Sequence, residues 1–111
     1  LPNWIFLDSV TLFVCGGKHK PRGTWNIKLI YLDENPRAHF TELYDMNYGR
    51  FGHALVRFEN WAYAFAGACP ENMVEVDENE RYNLDTEDGW TDDIPMMPQR
   101  DTGGDSHAVV Y

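Results

Sequence analysis

The chain has 111 residues, 43% hydrophobic and 14% aromatic, with a net charge of −9, which suits one packed domain and no more. No apolar run approaches the roughly 20 residues of a membrane helix, and no basic start precedes an apolar stretch of signal type. The acidic balance disfavours a nucleic-acid backbone, whose binding needs Lys and Arg against phosphate, so neither membrane nor nucleic acid is an expected partner. Cys15 and Cys69 are too few for a disulfide framework and read as free thiols, and no Asn-x-Ser/Thr sequon occurs. Both features point to a reducing, cytoplasmic compartment.

In chain order, residues 4–7 form a first short apolar run suited to an inner strand. The polar pair Asp8-Ser9 then turns the chain into a second strand over 10–15, a hairpin reading. Gly16-Gly17 ends it, where the backbone can take positive φ or pass close to a neighbour. A third strand is predicted near 26–32 and a fourth over 39–43. The pattern then restarts. Residues 54–58 are apolar, Glu59-Asn60 is the turn, 61–65 is the second strand and Gly67 follows it. Strands near 80–84 and 90–94 complete the second set, and no window has helical periodicity.

The two sets repeat at a spacing of 50 residues. Phe13-Val14-Cys15-Gly16-Gly17 overlies Tyr63-Ala64-Phe65-Ala66-Gly67, Phe40 overlies Trp90, Met46 overlies Met96 and Arg50 overlies Arg100. With one residue of slippage Tyr31 matches Tyr82, and Leu43 matches Ile94. Strand-rich units of roughly 50 residues have the length of a Kelch-type propeller blade.

These residues carry a family resemblance. Arg50, His53, Ala66-Gly67, Tyr82, Trp90 and Pro95-Met96, then Arg100, resemble one Kelch repeat; Gly16, Gly17, Tyr31, Phe40, Met46 and Arg50 resemble the preceding one. The resemblance implies an all-β chain built of four-stranded antiparallel blades, with one repeat over 1–49, a second over 50–99, and the first strand of a third over 100–111, where His107 and its apolar neighbours lie. Ala66 departs from the family's glycine and Phe40 from its tryptophan. Propellers close with about four to eight blades. The chain begins at Leu1 and shows no capping segment, so further blades in a longer chain, or another subunit, are expected to complete the ring.

Chemistry is nearly silent. Glu75, Asp77, Glu78 and Glu80 read as a solvated acidic loop and strand edge. Asp85-Thr86-Glu87-Asp88-Gly89 lacks the ligand spacing and closing glutamate of an EF-hand loop. His19, His39, His53 and His107 make no zinc pattern, and His53 and His107 fall at the family's structural histidine. Ser9 and Ser106 lie in no nucleophile elbow. No catalytic residue, metal or cofactor is therefore expected.

Binding is the stronger expectation, because loops displayed on a rigid scaffold carry recognition. Residues 1–50 hold six Lys/Arg against five Asp/Glu, whereas residues 51–111 hold three against thirteen. The loop over 18–25 is accordingly basic, with Lys18, Lys20, Arg22 and Trp25 as candidate contacts, and its counterpart over 68–75 is acidic. Trp25 either packs on its own blade or meets a partner. The Kelch resemblance implies a protein-interaction module or scaffold; a structural segment of a large assembly is the alternative, and a propeller enzyme of the galactose-oxidase or sialic-acid-handling kind a more distant one.

Overall fold

Each apolar run that the sequence sets between turn residues becomes a strand. β1 (Asn3–Asp8), β2 (Thr11–Cys15), β3 (Thr24–Leu32) and β4 (Asn35–Glu42) pair antiparallel, in that order, as one sheet. β5 (Ala54–Phe58), β6 (Trp61–Phe65), β7 (Glu80–Asn83) and β8 (Trp90–Thr91) repeat the arrangement as a second sheet. The structure, a computed structural model, describes residues 2–32 and 35–94. Among these the protein is all-β, two four-stranded antiparallel sheets with no helix. Pro95, Met96, Arg100, His107 and the strand expected over 100–111 lie outside the described residues.

Several local expectations change: β8, expected over 90–94, is only Trp90–Thr91, and β3 starts at Thr24 instead of near residue 26. The first turn is Ser9-Val10 rather than Asp8-Ser9, because Asp8 pairs with Thr11 after an irregularity in register between Phe6 and Asp8. The Asp8 carboxylate then accepts the Val10 N–H at 2.9 Å, a local bond that favours turn over strand. β4 begins at Asn35, well before the expected residue 39. Its first half, with Pro36 and Arg37, is polar and exposed, which an edge strand tolerates because its outer side owes no ladder bonds. The register also separates the two tyrosines: Tyr82 lies opposite Trp90, whereas Tyr31 lies opposite Pro36 and it is Ile27 that faces Phe40.

Directly opposed residues share a face of a sheet, so these registers sort every strand. One face of the first sheet presents Ile5, Phe13, Cys15 and Thr24 to the second sheet, which answers with Leu55, Ala62, Ala64, Tyr82 and Trp90. Met46, from the link between the sheets, closes this core. The Phe13 ring centroid lies 5.4 Å from that of Tyr82 and 5.8 Å from that of Trp90, tilted as aromatic pairs prefer. The Trp90 indole N–H donates to Thr24 Oγ1 at 2.9 Å, so its one polar atom crosses the seam satisfied. β1 and β5 are the strands of the two sheets that approach most closely. They are stitched by Asn3 Nδ2 donating to the His53 carbonyl at 2.6 Å and Arg57 Nη1 donating to the Leu7 carbonyl at 2.7 Å.

Among the described residues, much of the opposite face of each sheet is left uncovered. Trp4, Phe6, Leu29 and Phe40 line that face of the first sheet, and Phe6 and Phe40 are 60% and 63% exposed. On the second sheet Val56, Phe58, Trp61, Tyr63 and Arg81 share the open face, with the Arg81 guanidinium 3.9 Å above the Trp61 ring, while Phe65, stacked on Tyr63 on the same side, is buried.

Candidate functional site

The basic loop is shaped by its glycines. Gly16 and Gly17 take φ of +74° and +110°, and the Gly16 N–H donates across the loop to the Gly23 carbonyl at 2.9 Å. A Cβ on Gly16 would stand 2.6 Å from both the Arg50 carbonyl oxygen and His53 Cε1, so both the dihedral and the close approach require glycine. Beyond this turn Lys18, His19 and Lys20 are exposed. Together with Pro2, Gly16, Gly17 and Trp25 they line a concavity of about 410 Å³. Lys20 Nζ stands 6.0 Å over the Trp25 ring and Lys18 Nζ 4.9 Å over the Phe51 ring, so aromatic faces hold both ammonium groups beside the opening.

Trp25 is half-buried. Its ring lies across Gly23, where any Cβ would come within 2.2 Å of Cη2, and its backbone pairs with Val14 and Glu42 on the open face of the first sheet. It thus packs on its own sheet while one side borders the concavity. Of the four residues singled out in the sequence, Lys18, Lys20 and Trp25 come together. Arg22 does not join them: its Nε donates to the Met46 carbonyl at 2.7 Å, fastening the loop to the link. It lines a second concavity of about 360 Å³ whose walls also include Glu71 and Glu75 of the acidic loop and Glu78.

Arg50, the repeat's arginine, is fully buried with Glu80. Arg50 Nη2 lies 3.1 Å from Glu80 Oε2 and donates to the Glu78 carbonyl at 2.6 Å, while Nη1 donates to the Ala66 carbonyl at 3.1 Å. The Glu80 carboxylate accepts the Asn47 and Tyr48 N–H groups at 2.7 and 3.0 Å. Burial lowers the Arg50 pKa and the Glu80 charge opposes that loss, and these further hydrogen bonds are what a desolvated ion pair needs to persist. The pair anchors the link over 43–53 onto the second sheet.

No family model, curated protein or solved structure matches the chain.

Cys15 and His53 form a further buried polar contact, with Sγ and Nε2 3.4 Å apart. Burial drives the Cys15 thiol well above its ordinary value and lowers His53 to about 4, with the Arg50 charge adding to that shift. A nucleophilic cysteine needs an accessible thiolate, so this pair is packing rather than a catalytic dyad. Among the described residues no three His, Cys, Asp or Glu side chains converge to hold a metal ion.

Sequence reasoning missed Glu80, which it placed in a solvated acidic stretch. Glu75, Asp77 and Glu78 are exposed, but Glu80 is entirely enclosed. The usable signal was its distance from Tyr82: two residues earlier in a strand means the same inward face. Tyr82 and Trp90 are in the core, Gly67 takes φ +82° after β6, Phe40 is exposed on β4, and Tyr31 belongs to β3.

Proposed function

We propose that the two sheets are adjacent Kelch-type blades of a β-propeller and that the chain serves as a protein-interaction module, presenting the loops after its glycines to another protein. The architecture supports the blade reading. Two sheets of the same strand order stack face to face, approach most closely at their first strands, and are joined by a link whose arginine is buried at the repeat position. The observation that carries the interaction reading is the clustering of Lys18, Lys20 and Trp25 around one concavity, with a second concavity lined by Arg22 and three glutamates. An aromatic flanked by cations, open on one side, suits an anchor-type contact.

The test is to photo-crosslink the chain from a probe at His19 in its native extract, comparing it with a Lys18→Glu/Lys20→Glu/Trp25→Ala variant. A crosslinked partner present with the unaltered loop and absent from the folded variant is the expected result; identical adducts from both would refute the loop as the contact. One observation favours a second reading, a structural segment of a larger assembly: the uncovered Trp4, Phe6, Phe40 and Phe58 are large apolar side chains of the kind buried between subunits.

A further inference from the structure

The two uncovered sheet faces are complements of each other, and the seam inside the chain shows how they fit. On the covered face of the first sheet Ile5 pairs across from Phe13; on the open face of the second sheet Val56 pairs across from Tyr63 in the same register. On the covered face of the second sheet Ala62, Tyr82 and Trp90 lie in one row; on the open face of the first sheet that row is Leu12, Ile27 and Phe40. Among the described residues, and apart from the buried Phe65, the second sheet therefore displays again what the first sheet uses to hold a neighbour, and the first displays again what the second docks with. Trp90 is 7% exposed because Phe13 covers it, whereas Phe40, at the same register position, is 63% exposed.

Charge selects the occupant. Inside the chain the basic loop of the first sheet lies next to the acidic loop of the second, sharing the concavity lined by Arg22, Glu71, Glu75 and Glu78. A second copy set head to tail brings the acidic loop of one chain beside Lys18 and Lys20 of the next, so every basic loop is flanked by acidic ones. A copy docked first sheet to first sheet, or second to second, would set like charges together. We propose that a second copy of this chain docks head to tail, the open face of its first sheet on the open face of the second sheet, and that repetition of this contact closes a ring. This rests on the blade reading above. A heterologous contact closes if its rotation divides the circle, and about two to four copies would supply the four to eight blades of a closed propeller.

Two face-specific variants test it. Phe6→Asp/Phe40→Asp blocks the first sheet's open face, and Val56→Asp/Phe58→Asp blocks the second's; circular dichroism checks that each keeps its strands. By native mass spectrometry the unaltered chain is expected as a closed multiple of 12.9 kDa. Each variant alone is expected as a monomer, and an equal mixture of the two as one capped dimer joined through the remaining good faces. A monomeric unaltered chain, or a variant that still pairs with itself, overturns the proposal. A tandem of three copies in a single polypeptide then separates the two ideas. A compact tandem that binds no hydrophobic dye keeps the blade reading while self-assembly falls, and a tandem whose faces remain dye-accessible sinks both.

Discussion

Ala66 carries φ +58° at the position where the first sheet has Gly16 at +74°. A residue with a Cβ is strained there by about 1–2 kcal/mol, and the repeat marks the site as one that prefers glycine. Ala66→Gly is therefore expected to raise stability by about 1 kcal/mol after the added flexibility of the unfolded chain is counted, read as a higher urea midpoint with an unchanged slope. His53 supplies a pH signature. The unfolded chain takes up the imidazole proton near its ordinary value of 6.5, whereas the folded chain resists until about 4. Between those values the unfolded state holds more protons, so stability falls as pH drops through the window and is constant above it. The loss is on the order of 3 kcal/mol at roughly 1.4 kcal/mol per pKa unit. Thermal melts across that range should show the slope, and His53→Gln should flatten it; an equal slope in the variant would assign the effect to carboxylates.

At the scale of elements, Phe40 and Trp90 are a matched experiment. They sit at one register position in two sheets, one wet and one enclosed. Trp90→Ala should cost about 3–5 kcal/mol, as loss of a core aromatic does. Phe40→Ala in the monomeric chain should change stability little, since little of it is removed from water. Denaturant titration of both variants checks the pair, and a near-neutral Trp90→Ala would contradict its place in the seam. The hairpins were legible because short polar turns interrupt apolar runs, and Glu59-Asn60 falls where expected. The start of β4 was not legible, since Pro36 and Arg37 resemble a loop until an edge position is known. Tyr31 was matched to Tyr82 by residue type, but the long β3–β4 hairpin carries it beyond the row that Ile27 occupies. The basic cluster was partly legible: charge and an aromatic marked the loop, but only geometry shows that Arg22 is spent on the Met46 carbonyl.

For the whole molecule, the link between the sheets matters as much as the sheets. It is tied by backbone bonds to the basic loop, Met46 N–H to the Arg22 carbonyl and Arg50 N–H to the Pro21 carbonyl. Between those two points it is tied to the second sheet by the Glu80 carboxylate, which accepts the Asn47 and Tyr48 N–H groups. Glu80→Ala removes those acceptors and strands a buried guanidinium, so it should cost about 3–5 kcal/mol. Measured by guanidinium unfolding, a loss below 1 kcal/mol would mean Arg50 finds water instead.

The two thiols follow from the same geometry. Cys69 lies half-buried in the acidic loop, and Cys15 is enclosed between the sheets beside His53. An alkylating reagent will therefore find the first at once and the second only when the sheets part. Where closing outruns the reagent, the labelling rate of Cys15 is proportional to the population of the opened form. The chain holds its own stopwatch for separation of its halves, with a neighbouring fast thiol to confirm that reagent was never limiting.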